Sequence, residues 1–135
     1  SELIQSEKSL QELYLYFNAD VSNYWKTHYV FDKEDKPKAK RLSKSFIDLL
    51  LLNTILPLKF IYLKSIGKED FDSIIELYQA IKSEDNSVIN KFEILKIKSE
   101  NAFDSQSLLH LKKNYCDFKK CLDCMIGVKL LKNNV

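Results

Sequence analysis

The run from Phe46 to Leu63, FIDLLLLNTILPLKFIYL, is the most apolar part of the chain, and any stable fold has to cover it. A membrane span is one way to do so. Against it, Asp48, Asn53 and Lys59 all fall within these 18 residues, and a charge at a bilayer centre costs about 2.5–3.5 kcal/mol. A helix buried on nearly all sides, at the centre of a helical bundle, accounts for the run better. Pro57 lies inside it and removes the hydrogen bond that would reach the carbonyl of Asn53, which predicts a kink. Asn53, next to that freed carbonyl, then reads as a structural residue that holds the kink together with Pro57.

The rest of the chain reads as helices able to surround this one. Only two glycines and two prolines interrupt 135 residues, whereas sandwiches and barrels need turn residues about every 8–12 positions. Leu3, Leu10, Leu13, Tyr14 and Phe17 keep helical spacing and predict a first helix ending near Asn18. The aromatic segment VSNYWKTHYVF reads as a short helix with Tyr24, His28 and Phe31 on one face and Trp25 and Tyr29 beside them. Residues 33–45, polar and charged with Pro37 inside, read as an exposed loop. Phe71, Ile74, Ile75, Tyr78 and Ile81 mark another helix. Ser87 is the expected cap of a short one burying Val88, Ile89, Phe92 and Leu95, and Asp104 of one running through SQSLLHLKKNYC. The expected fold is all-α: a compact bundle of five to seven helices in one domain, 1–135, around the central proline-kinked helix.

Charge narrows the function classes. Twenty-one basic residues against 19 acidic ones leave +2, and Arg41 is the only arginine, so bulk charge gives no reason to expect nucleic-acid binding. A local exception is the C-terminal end, where Lys112, Lys113, Lys119, Lys120, Lys129 and Lys132 face only Asp117 and Asp123, with Tyr115 and Phe118 interleaved. The opening SELIQSEKSLQEL has neither the basic start nor the apolar run of a secretory signal, and three cysteines fit a reducing compartment, so the cytoplasm is expected. The helical pattern starts abruptly, which suggests the C-terminal piece of a longer protein. On that reading the aromatic group Tyr24, Trp25, Tyr29 and Phe31 would dock onto the rest of its own chain, or onto a second copy in a homodimer.

The cysteines lie close together, in YCDFKKCLDC. Cys116, Cys121 and Cys124 have the pattern C-x4-C-x2-C and leave three readings open: a metal site, a redox pair, or small buried apolar side chains. Zinc or an iron–sulfur cluster would need a fourth ligand, with His28, His110, Asp117 and Asp123 as candidates. On one continuous helix Cys116 sits about 140° from Cys121, at roughly 100° per residue, so the thiolates converge only if the chain breaks near Asp117. Cys116 also follows Leu109 by two turns, on an apolar stripe, which favours a packed thiol and no cofactor. A redox role for CLDC would need a βαβ setting that is not visible. No nucleophile–base pair or glycine-rich phosphate loop stands out, and Asp104, Ser105 and Gln106 in FDSQS read as helix-capping, structural residues.

Together YWKTHYVF, IDLLLLNTILPLKFIY, SEDNSVINKF, NAFDSQSLLHLKKNYC and KKCLDCMIG resemble the tail of a bacterial family concentrated in Bacteroidetes, the domain of unknown function 2851 family. Trp25, His28, Tyr29, Asn53, Pro57, Asn86, Asp104, Ser105, Gln106, the three cysteines and Gly127 match its pattern. His110 departs from it, standing where glutamine is expected, which counts against a metal site through His110. The resemblance implies longer proteins whose N-terminal part resembles restriction-endonuclease-like folds, with this chain as the C-terminal helical region. Any nuclease residues would lie in that other part, so no catalytic residue is carried over. The function expected is a structural and interaction module. The alternative is an accessory nucleic-acid-binding or metal-binding region of a nucleic-acid-processing enzyme.

Overall fold

The computed structural model describes residues 2–132. Among them are eight helices and one small hairpin: α1 (Glu2–Gln5), α2 (Leu10–Tyr16), α3 (Asn23–Thr27), β1 (His28–Val30), β2 (Lys33–Glu34), α4 (Lys44–Ser65), α5 (Asp72–Ala80), α6 (Ser87–Ile94), α7 (Ala102–Leu111) and α8 (Met125–Lys132). The fold is mostly helical, as the periodicity implies. The chain forms two compact units, one up to Leu77 and one from Tyr78 onward.

In the first unit the expected N-terminal helix is broken in two. The polar stretch Gln5 to Ser9 offers no apolar face to bury, and Ser9 restarts the chain as the cap of α2. Its hydroxyl accepts from the Glu12 amide at 3.3 Å, while the Glu12 carboxylate accepts from the Ser9 amide at 2.7 Å. The short aromatic helix also ends early, at Thr27. His28–Val30 pairs antiparallel with Lys33–Glu34 through a turn in which Asp32 takes φ +59°. Tyr29, Val30 and Phe31 favour extended backbone, which the helical reading underweighted. The expected loop therefore loses its first two residues to β2, and Lys44 opens α4.

Ser43 caps α4 by accepting from the Phe46 amide at 3.2 Å. The disturbance at Pro57 takes the form of a π-turn at Leu51–Ile55, where the Leu56 amide reaches back five residues to the Leu51 carbonyl. Widening the turn just before the proline makes room for its ring, which would otherwise meet the Asn53 carbonyl. Asn53 is exposed, and its amide donates to the Leu49 carbonyl at 3.0 Å. It does not turn toward the freed carbonyl.

Ile47, Leu51, Leu52, Leu56 and Leu63 of α4 are buried and, with Leu13 of α2 and Ile74 and Leu77 of α5, form the core of this unit. The expectation of burial on nearly all sides is overturned. Phe46, Leu49, Phe60 and Ile61 stay exposed, Ile61 by 60%, and only 33% of the most apolar window is buried. The short helices before α4 are too small to wrap 22 residues. By length and composition α4 could cross a membrane. Its two inner charges nevertheless have protein partners. The Tyr14 hydroxyl donates to Asp48 at 2.5 Å, and the Lys59 ammonium donates to the Ser6 carbonyl at 2.9 Å. Lys59 is only 4% exposed, and burial holds its ammonium below the ordinary lysine range, with Glu7 opposing the shift.

In the second unit, the caps fall one and three residues before their expected places. Asn86, not Ser87, caps α6 by accepting from the Val88 and Ile89 amides at 3.0 and 3.1 Å. Asn101, not Asp104, caps α7, accepting from the Asp104 amide at 3.0 Å while Asp104 accepts from the Glu100 amide at 3.0 Å. Asparagine matches serine as a cap, and the spacing of apolar residues does not resolve one position from the next. The Ala102 amide donates to the Ile81 carbonyl at 2.8 Å, which ties the start of α7 to the segment after α5, and Ile81, Ile89 and Ala102 are buried.

Truncating Leu51, fully buried in α4, to alanine is expected to cost about 2–5 kcal/mol in urea unfolding. Tyr14→Phe is expected to cost about 1–2 kcal/mol at neutral pH, since it leaves Asp48 without its donor. Burial, followed by the Asp48 bond, pushes the Tyr14 hydroxyl well up from 10.0. A raised folded value means that the stabilisation is whole below pH 10 and fades as pH rises beyond it. The stability gap between wild type and Tyr14→Phe should therefore shrink above pH 10, and a gap that widened there would contradict this account.

Candidate interaction surface

The helix α3 and the hairpin behind it bring Tyr24, Trp25, His28 and Phe31 into one group. Tyr24 lies flat on His28 at 4.0 Å between ring centroids, while Trp25 meets Tyr24 at 5.1 Å and Phe31 at 5.2 Å, edge to face. The His28 Nδ1 lies 2.9 Å from the Tyr24 carbonyl, and the Asp32 amide donates to the Tyr24 hydroxyl at 3.2 Å. Tyr29 stays outside the group, under the Lys40 ammonium, which sits 3.6 Å from its ring centroid. Three of the four aromatics expected as an interface are thus in mutual contact. Trp25 is half-buried, and Tyr24, Tyr29 and Phe31 are exposed, Phe31 by 74%.

Next to them runs a basic stretch that composition averaged over the whole chain conceals. Lys26, Lys38, Lys40 and Arg41 line a cleft of about 410 Å³ together with Asp20 and Pro37. Arg41 grips Asp20 with two bonds, Nε to Oδ1 at 2.9 Å and Nη2 to Oδ2 at 3.2 Å. The local density of KPKAKR against a near-neutral chain was the available signal.

Ser105 and Gln106 converge on Glu84. The Gln106 amide donates to the Glu84 Oε2 at 2.6 Å, and the buried Ser105 hydroxyl accepts from the Glu84 backbone amide at 3.3 Å. Together with the Asn101–Asp104 cap, this makes FDSQS a fastening between α7 and the Ser83–Asp85 segment. No pattern in the residues pointed to Glu84 as its partner. These bonds hold the start of α7 to the Ser83–Asp85 segment.

The cysteine segment departs from its favoured reading. Cys116 and Cys121 are exposed and Cys124 is half-buried. A second π-turn, Lys112–Cys116, closes α7 with the Asp117 amide reaching the Lys112 carbonyl at 2.9 Å, and it rotates Cys116 off the apolar stripe. The chain does break after Cys116, with Lys119 at φ +53°. Even so, among the described residues no three His, Cys, Asp or Glu side chains come together as ligands for a metal ion. His110 faces the Asn114 amide at 3.0 Å, and Asp117 pairs with Lys112. Gly127 lets α8 start against the Cys121 backbone. A Cβ there would stand 2.3 Å from the Cys121 carbonyl oxygen. Gly127→Ala should therefore lift α8 from this segment, costing about 1–3 kcal/mol locally. Amide exchange is expected to speed up in α8 and stay unchanged in α7, and protection of α8 equal to wild type would contradict the close approach.

The family profile described as protein of unknown function, DUF2851, matches residues 1–87. That span holds the aromatic hairpin, α4 and α5, and it stops short of the FDSQS and cysteine segments. No curated protein and no solved structure matches the chain. With 87 of its 135 residues inside the profile, the chain belongs to the DUF2851 family of proteins of unknown function.

Proposed function

We propose that this chain is a helical interaction module of a larger cytoplasmic protein, and that it docks through the outer face of α4 onto another folded part of its own polypeptide. The observation that carries this reading is the exposure of Phe46 and Leu49 in the first half of a 22-residue helix and of Leu58, Phe60 and Ile61 in the second, on either side of exposed Asn53 and Thr54. Contiguous apolar surface beyond a few hundred Å² marks interfaces in soluble proteins. The sequence resemblance supports the choice of partner, because it implies longer proteins with a further N-terminal part. Charge supports it against a second copy. Lys44 and Lys64 stand near the two ends of α4. Two copies packed antiparallel about a twofold axis would set Lys44 of one against Lys64 of the other, and like charges oppose that pairing. An apolar face flanked by carboxylates satisfies both lysines. The free thiols Cys116, Cys121 and Cys124 fit the reducing cytoplasm.

The test uses Leu49→Asp and Ile61→Asp, which fall on exposed positions and should change the stability of this chain by less than about 0.5 kcal/mol. Both are expected to abolish its association with the separately expressed remainder of the parent protein in sedimentation velocity. Association that survives both variants would overturn the reading. A self-dimer of the wild-type chain lost in the same variants would replace the intramolecular partner with a second copy.

A further inference from the structure

We infer that α3, the hairpin and the loop behind it form a contact for single-stranded nucleic acid, with the Lys26–Lys38–Lys40 cleft taking the phosphates and Phe31 and Tyr29 stacking on bases. The inference is independent of the α4 docking face, which lies on other residues. It rests on three observations. The first is local charge: residues 20–41 carry six cations and four carboxylates, +2, which is the net charge of the whole chain, so the remaining residues sum to zero. The second is that the cations line a concave surface of about 410 Å³ and do not stand singly on a helix. Arg41 neutralises Asp20, the one carboxylate in the lining, which leaves three lysines to face an anion.

The third observation is that several of these groups are held in place. Lys26 donates to the Asn23 side chain at 3.0 Å, and Lys40 donates to the His28 carbonyl beneath its contact with the Tyr29 ring. The Lys38 amide donates to the Lys26 carbonyl at 3.1 Å, and the Asp35 amide to the Thr27 carbonyl at 2.7 Å, which pin the loop against α3. Phe31, 74% exposed, packs edge to face with Trp25, and Tyr29 is 58% exposed.

Exposed rings beside a cationic groove are the two parts that single-strand binders combine, since every unpaired base offers a π-face. A duplex hides those faces, and the hairpin is too short to read a groove. Lysine is a point charge with no fork to match base edges, so the contact should be tolerant of sequence. A protein partner would use the rings but would leave three desolvated lysines to be matched.

The experiment is fluorescence anisotropy of a labelled oligothymidylate of about twelve nucleotides, within the usual site size, with the whole chain. Binding is expected at low salt. Its logarithm should fall with log salt at a slope of about −2, since three lysines each release about 0.7 counterion from a single strand. Lys38→Glu and Phe31→Ala, both at exposed positions, are each expected to weaken it about tenfold with the circular dichroism unchanged. Lys113→Glu with Lys129→Glu, at the C-terminal end, should leave it intact. Absence of binding at low salt overturns the inference. So does binding that Phe31→Ala leaves intact while inorganic polyphosphate competes fully, which would make the cleft a plain anion site. If oligothymidylate fails to bind and Lys38→Glu and Phe31→Ala instead break association with the remainder of the parent protein, the surface is a protein interface.

Discussion

Asp48 and Lys59 lie inside an apolar helix, and the first unit is organised around giving each a partner. A carboxylate or ammonium withdrawn from water without a hydrogen bond is far more costly than any single apolar contact is favourable. Tyr14 from α2 reaches Asp48, and the Ser6 carbonyl, in the break before α2, reaches Lys59. Those two bonds bring α2 and the chain before it onto the inner face of α4. They also give the break between α1 and α2 a purpose, since a continuous helix through Ser6 would commit that carbonyl to its own ladder.

α4 contains a π-turn and α7 runs into one at its C-terminal end, and the two have different consequences. In α4 the widened turn precedes Pro57, so the helix continues past a residue that cannot donate. In α7 it ends the helix and turns the cysteine segment outward.

The exposed surfaces of the first unit differ in chemistry. The outer face of α4 is apolar with a lysine near each end, which suits a folded partner that excludes water. The hairpin and its loop are cationic and carry the exposed rings of Tyr29 and Phe31. Family membership covers both regions and ends before the cysteine segment.

By itself the sequence determined that the fold is mostly helical, because helical spacing and the scarcity of glycine and proline are local properties, legible without any partner. It marked α4 as a core helix, which Leu51 bears out, and FDSQS as part of a helix start, though the cap itself is Asn101, because these depend on neighbours within a turn or two. Only tertiary structure decided how much of α4 is covered, since that depends on how much chain is left to wrap it. The same holds for Glu84 as the group that Ser105 and Gln106 grasp, 21 and 22 residues away. Whether Cys116 faces in or out turned on one widened helical turn, and the cleft of Lys26, Lys38 and Lys40 on a loop folding back against α3. Spacing along a chain specifies which residues share a helical face. Which faces meet depends on contacts between distant segments, and those arise only when the whole unit packs.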